Sequence, residues 1–220
     1  INMGCPDRTV IRGGACSALI KNPTLAAEII QAAKEGAGGL PLSVKTRIGF
    51  EKKLLDEWIG HLLKQDLAAL TVHLRTVSEM SKVPAHWELM PQIMELRKTI
   101  APDTILIGNG DIVSLDEIKE KYALYGCDGY MVGRGIFYNP WMFNPEIKID
   151  EVSVQQRIDL YLEHVSEFEK TWQGKHNFAL LKKFGKTYIS NFPGSSDFRE
   201  KLMLSKNIEE LKEVLTSYKA

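Results

Sequence analysis

The chain has 220 residues, 28 Lys and Arg balanced by 28 Asp and Glu, and 44% hydrophobic residues, the profile of an ordinary globular protein with ample material for a core. Cys5, Cys16 and Cys127 are odd in number and lack CxxC or zinc-type spacing, which argues against a disulfide framework or a structural metal and for a reducing, cytoplasmic setting. No apolar run approaches membrane-spanning length and no signal peptide is visible, so neither membrane nor metal is expected.

Asn2-Met3-Gly4-Cys5-Pro6 follows an apolar start and reads as the end of a strand with a rigid turn carrying Cys5. Asn22 as N-cap and Pro23 at the first helical position open a helix that ends at the glycines 36, 38 and 39. Leu42–Arg47 reads as a strand, Leu54–Gln65 as an amphipathic helix, and Ala68–Arg75 as the next strand. A helix over Trp87–Ile100 leads to a strand at Thr104–Gly108. Ser114 and Glu117 form a capping box for a helix stopping at Gly126, and Asp128–Val132 is a further strand. Strands alternating with helices over about 140 residues imply βα units around a parallel sheet.

Beyond Pro140 and Pro145 the pattern changes. A second capping box, Ser153 with Gln156, opens a helix to Gly174. Helical stretches at about 177–190, 197–205 and 208–218 follow, the last opened by Asn207 with Glu210. The expected organisation is an α/β domain over 1–145 and an all-helical domain over 150–220. Within 170–206 there are 8 basic against 2 acidic residues, a footprint that suits a phosphate backbone and equally a solvated helical face.

Every strand ends in polar residues: Asn2 and Cys5, Lys45 and Arg47, His73 and Arg75, Asn109 and Asp111, then Arg134. Taken singly, Cys5 fits a core position and His73 a structural histidine; the glycine turns around Asn109 and Arg134 could be plain βα connections. In βα barrels, however, strand ends carry the chemistry, and phosphate commonly binds after the last two strands. The conjunction therefore points to a site. Glycines let backbone N–H groups close on an anion, Arg134 adds a forked donor, and the lack of GxGxxG after a first strand favours a mononucleotide over a dinucleotide.

Asn2-Met3-Gly4-Cys5-Pro6, Val44-Lys45-Thr46-Arg47, His73-Leu74-Arg75-Thr76, Gly108-Asn109-Gly110-Asp111-Ile112 and Met131-Val132-Gly133-Arg134-Gly135 occur in the order and spacing of the tRNA-dihydrouridine synthases. Asn139-Pro140-Trp141, Phe192-Pro193-Gly194 and Arg199 fit the same family, so the resemblance covers nearly the whole chain. It implies a (β/α)8 TIM barrel holding FMN at its mouth, followed by a helical tRNA-gripping domain. It also implies that the barrel is incomplete here, from the end of strand four onward, with strands one to three upstream.

By the same resemblance Cys5 is the proton donor and Asn2 and Arg75 contact the substrate. Lys45 and His73 face the flavin, while Asn109, Gly110, Asp111, Gly133 and Arg134 form its phosphate side. Lys182, Lys186 and Arg199 are expected to meet tRNA. Leu74 stands where many members have Gly, and the loop Val77–His86, expected near the uridine, follows no subgroup pattern. The implied reaction reduces the C5=C6 bond of a tRNA uridine with hydride from FMN, itself reduced by NADPH or NADH, in a protein that is monomeric at full length. The competing readings are an FMN barrel oxidoreductase acting on a free metabolite, of the dihydroorotate type, and a catalytically silent RNA-binding fragment.

Overall fold

A computed structural model describes residues 1–218. It divides into two compact units, Ile1–Gly135 and Ile136 onward. The segment Asn139–Asn144, expected to close the first domain, therefore belongs with the second unit.

The first unit is built on five parallel strands, β1 Asn2–Met3, β2 Ser43–Arg47, β3 Ala69–His73, β4 Ile105–Asn109 and β5 Gly129–Met131. Their spatial order is their chain order. A doubly wound sheet reverses direction at a switch point; this one does not, and it winds one way as the wall of a βα barrel does. Five helices intervene or follow: α1 Arg8–Arg12, α2 Pro23–Gly36, α3 Gly60–Leu63, α4 Met90–Ile100 and α5 Leu115–Tyr125. The short α6, Gly135–Tyr138, begins at the boundary between the units.

Register decides which residues share a face. Asn2 pairs with Lys45, Arg47 with His73 and His73 with Asn109; since side chains alternate along a strand, Lys45 joins the same row of faces two residues before Arg47. The opposite face presents Met3, Val44, Leu70, Val72 and Leu106, all buried. Trp58 docks on that face and donates its indole N–H to Thr46 Oγ1 at 2.9 Å. Gly108 is needed there, because a Cβ would stand 2.9 Å from the ring of Trp87.

The local signals mostly behave as expected. Asn22 Oδ1 caps α2 by accepting from the Leu25 N–H at 3.1 Å, and α5 ends on left-handed Gly126. The Ser114 box forms only by half: Ser114 Oγ accepts from the Glu117 N–H, but Glu117 turns to the N–H of Val113. The helix expected over Leu54–Gln65 starts as a π turn, Leu55–Ile59. Its wide buried face, with Leu55, Trp58, Ile59, Leu62 and Leu63 all inside, overrides a regular 3.6-residue stripe. Helix α1 had no expected counterpart; Asp7 caps it through the N–H groups of Thr9 and Val10.

The second unit contains α7 Val154–Trp172, α8 Ala179–Lys182, α9 Gly185–Tyr188, α10 Ser195–Leu204 and α11 Ile208–Thr216, with no strand among its described residues. The Ser153–Gln156 capping box is complete. The stretch 177–190, expected as one helix, is broken into α8 and α9. The core gathers Ile158, Tyr161, Val165, Leu181, Ile189, Leu202, Leu211 and Leu215, with Tyr161 donating its hydroxyl to the Leu181 carbonyl at 2.8 Å. No helix of the described residues is long and apolar enough to cross a membrane.

Candidate active site

The polar residues at the C-terminal ends of the strands converge. Lys45 Nζ donates to Asn109 Oδ1 at 3.0 Å, and Asn109 Nδ2 donates to the Met131 carbonyl at 2.7 Å. Asn109, expected in a turn, is the last residue of β4, and the bond to Met131 ties it to β5. Burial, then the charge of Arg47, holds the Lys45 ammonium below its usual pKa. A partly desolvated cation with one acceptor favours an anion above it.

His73 is pushed down to about 3, first by burial and then by Arg47, Lys45 and Arg75. It is neutral at working pH. Arg75 NH1 stands 3.1 Å from His73 Nε2, and since a guanidinium can only donate, Nε2 is the acceptor and the ring proton sits on Nδ1.

Arg75, expected to contact substrate, is engaged within the protein. It lies beyond the end of β3, is 3% exposed, and spends its donors on the Val83 carbonyl, His73 and the Asp111 carboxylate. It positions neighbours. Asp111 also accepts from the Ala85 N–H at 2.9 Å and lies 3.4 Å from Arg134. Partial burial alone would raise the Asp111 pKa, but these bonds and the charges of Arg75 and Arg134 outweigh it and hold the carboxyl low. The Asp111 side chain is therefore an anion committed to cations, and only its backbone N–H is left for a phosphate.

Gly110 adopts φ 137°, and a Cβ there would stand 2.6 Å from Ala85 Cβ, so this turn admits only glycine. Gly133 has open space around it, and Arg134 is 60% exposed, leaving donors for a ligand.

Cys5 is held from both sides of its backbone. Arg47 Nε donates to the Gly4 carbonyl at 3.1 Å and Ser17 Oγ to the Cys5 carbonyl at 2.6 Å. Gly4 passes so near β2 that a Cβ would lie 3.1 Å from the Thr46 backbone. Among the described residues no Lys, Arg or His side chain hydrogen-bonds the Cys5 thiol. Asn2 accepts the Gly4 N–H through Oδ1 at 3.0 Å, which leaves its amide NH2 free to donate.

Arg47 is the residue the sequence reading left without a role. It is 5% exposed and donates also to the carbonyls of Thr76 and Met80. It thus pins the Cys5 turn to the loop after β3. Its alternation with Lys45 along β2 already put both on one face. That loop is further braced by His86, which meets Glu79 at 2.8 Å and Glu88 at 3.0 Å.

Two of the residues expected to meet tRNA make hydrogen bonds within the second unit. Lys182 Nζ caps the end of α10 through the carbonyls of Met203 and Ser205, satisfying orphan acceptors of that helix. Arg199 donates to the Ile189 carbonyl at 2.6 Å. Lys186 and its neighbour Lys183 are exposed. A cleft of about 820 Å³ lies at the opposite ends of the strands, among Leu42, Ala68 and Thr104, away from this cluster.

A parallel sheet wound in one direction, with a polar cluster at its strand ends, is the arrangement of a βα-barrel wall carrying a site. The dihydrouridine synthase family model matches residues 1–220, and the chain belongs to that family. It is 46% identical over 222 residues to the probable tRNA-dihydrouridine synthase 2 of Bacillus subtilis, covering 99% of this chain and 66% of that protein. It is 46% identical to the probable tRNA-dihydrouridine synthase of Staphylococcus epidermidis and 45% identical to that of Staphylococcus aureus MRSA252, covering 100% of this chain in both, with 67% and 66% of those proteins. The chain thus spans about two thirds of the length of the curated relatives it matches.

Proposed function

We infer that this chain carries the proton-donating and phosphate-binding part of a tRNA-dihydrouridine synthase, which reduces the C5=C6 bond of a uridine in tRNA. The observation that carries the reading is the fit of the strand-end cluster to FMN. Gly110 leaves a cradle that a Cβ would fill, the backbone N–H groups of Asp111 and Gly133 find no acceptor in the protein among the described residues, and Arg134 and Lys45 bring positive charge. Asn109, Gly110, Gly133 and Arg134 would hold the phosphate side, with Asp111 orienting Arg134; Lys45 and His73 would face the ring. The cofactor, when bound, supplies the hydride that no side chain can.

The protein's own part is a proton at C5. A side-chain proton donor is what this step needs, and among the described residues no basic side chain hydrogen-bonds the Cys5 thiol. Arg47 and Ser17 hold the backbone on either side, so the thiol is presented at a fixed place. Lys45 favours the electron-rich end of a ligand through its charge. Asn2, with a free amide NH2, suits a carbonyl of the base. A target base must leave its stack to reach a recessed site, and the exposed lysines of the second unit suit the phosphates that position the RNA. The five strands then form one arc of a (β/α)8 barrel. NADPH or NADH in a reducing cytoplasm is the matching electron source.

Cys5→Ala tests the reading. Proton delivery contributes about 10²–10⁴-fold, so the variant is expected to bind FMN and tRNA normally and lose dihydrouridine formation by that factor. Turnover within a factor of three of the parent refutes the assignment.

A further inference from the structure

Beside the Cys5 turn lies a second concavity, about 350 Å³, that the cofactor and proton-donor assignments leave unused. One wall is α1, which follows the Cys5 turn and contributes Arg8, Ile11 and Arg12. The other is the loop after β3, with Met80 and Lys82, and Phe50 from the loop after β2 completes it. Ile11, Phe50 and Met80 make it apolar; Arg8, Arg12 and Lys82 make it positive. These three cations are exposed, and none takes part in an ion pair among the described residues. The acids nearby along the chain are occupied elsewhere: Asp7 caps α1, Glu79 is turned to His86, and Glu51 faces Lys21. Lys21, paired with Glu51, lies 3.7 Å over the Phe50 ring.

We propose that this groove binds the single-stranded RNA segment flanking the reacting nucleotide, with Arg8, Arg12 and Lys82 on its phosphates and the apolar surface under one base. The inference rests on the RNA-reducing reading given above. Enzymes that act on a base take it from single-stranded substrate or out of its stack, and a cationic groove with an apolar face is what a single strand requires. The walls are fixed relative to the proton donor by one side chain: buried Arg47 bonds the carbonyl of Gly4 on one side and those of Thr76 and Met80 on the other. A strand seated in the groove is therefore held in register with Cys5, so RNA seated there can present the next base to the thiol.

The test compares the flavin-loaded protein with its Arg8→Ala/Arg12→Ala/Lys82→Ala variant, measuring binding of a tRNA transcript against salt together with dihydrouridine formation. Each phosphate contact to a single strand adds about 0.7 to the slope of log affinity against log salt. Losing three flattens the slope by about two units, so the parent's affinity falls roughly 20-fold further than the variant's between 50 and 200 mM salt. Each single variant is expected to remove about a third of that. The Arg8→Lys/Arg12→Lys/Lys82→Arg variant, which keeps the charges, is expected to keep the slope, and flavin content is expected to be the same in all. If the parent reduces tRNA uridine while the triple Ala variant retains its slope and its KM, the groove is not an RNA site and the reductase reading stands. If the parent neither binds nor reduces tRNA, both fall. Equal losses on a duplex RNA of the same length overturn the single-strand assignment.

Discussion

Replacing Arg75 by Met separates the positioning role seen in the structure from the substrate contact that the sequence suggested. Met fills much of the space of the Arg stem and removes the charge. The change strips the donor from the Val83 carbonyl and from His73 Nε2, and it leaves the Asp111 carboxylate with the Ala85 N–H and the more distant Arg134. Losing one partner of a buried ion pair costs about 3–5 kcal/mol. Asp111 is one-third exposed, and solvent takes up part of that, so about 2–3 kcal/mol is expected. At about 4 °C per kcal/mol for a unit of this size, the thermal midpoint drops by roughly 8–12 °C. Calorimetry on the flavin-free protein reads this directly. A cycle with Asp111→Asn is expected to show a coupling of about 1–2 kcal/mol, because the two residues touch. An unchanged midpoint with only KM for tRNA raised refutes the reasoning and restores Arg75 as a substrate contact.

Three further outcomes follow from the structure. His73, held near 3 by burial and then by Arg47, Lys45 and Arg75, refuses a proton that the unfolded chain accepts below the ordinary histidine pKa of 6.5. Stability is therefore lost as pH falls below about 6.5, by about 2 kcal/mol at pH 5. His73→Gln is expected to remove that loss in denaturant titrations at pH 7 and pH 5, and parallel pH dependence in the two proteins contradicts it. Lys182→Met is expected to cost about 1–2 kcal/mol by uncapping α10 while leaving tRNA affinity unchanged. Lys183→Ala/Lys186→Ala is expected to leave stability within about 0.5 kcal/mol and to flatten the salt slope by up to two units. The opposite pattern in melting and binding data reassigns the phosphate contacts.

The sequence by itself determined what is local or periodic. Alternating apolar runs marked β2 to β5, Asn22, Ser153 and Asn207 marked helix starts, and the spacing of Cys5, Lys45, His73, Asn109 and Arg134 at strand ends marked the cluster. These are readable because caps and strand alternation depend on residues within a turn or two of one another. What a charged side chain does once it is there depends on partners far along the chain. Lys45 meets Asn109, Arg75 meets Asp111, Arg47 joins Gly4 to Met80, and Lys182 reaches Met203 and Ser205. Charge and spacing are the same for an Arg that grips a phosphate and one that braces a loop. Only burial and the acceptors within reach separate them, and those exist only once the strands are in register.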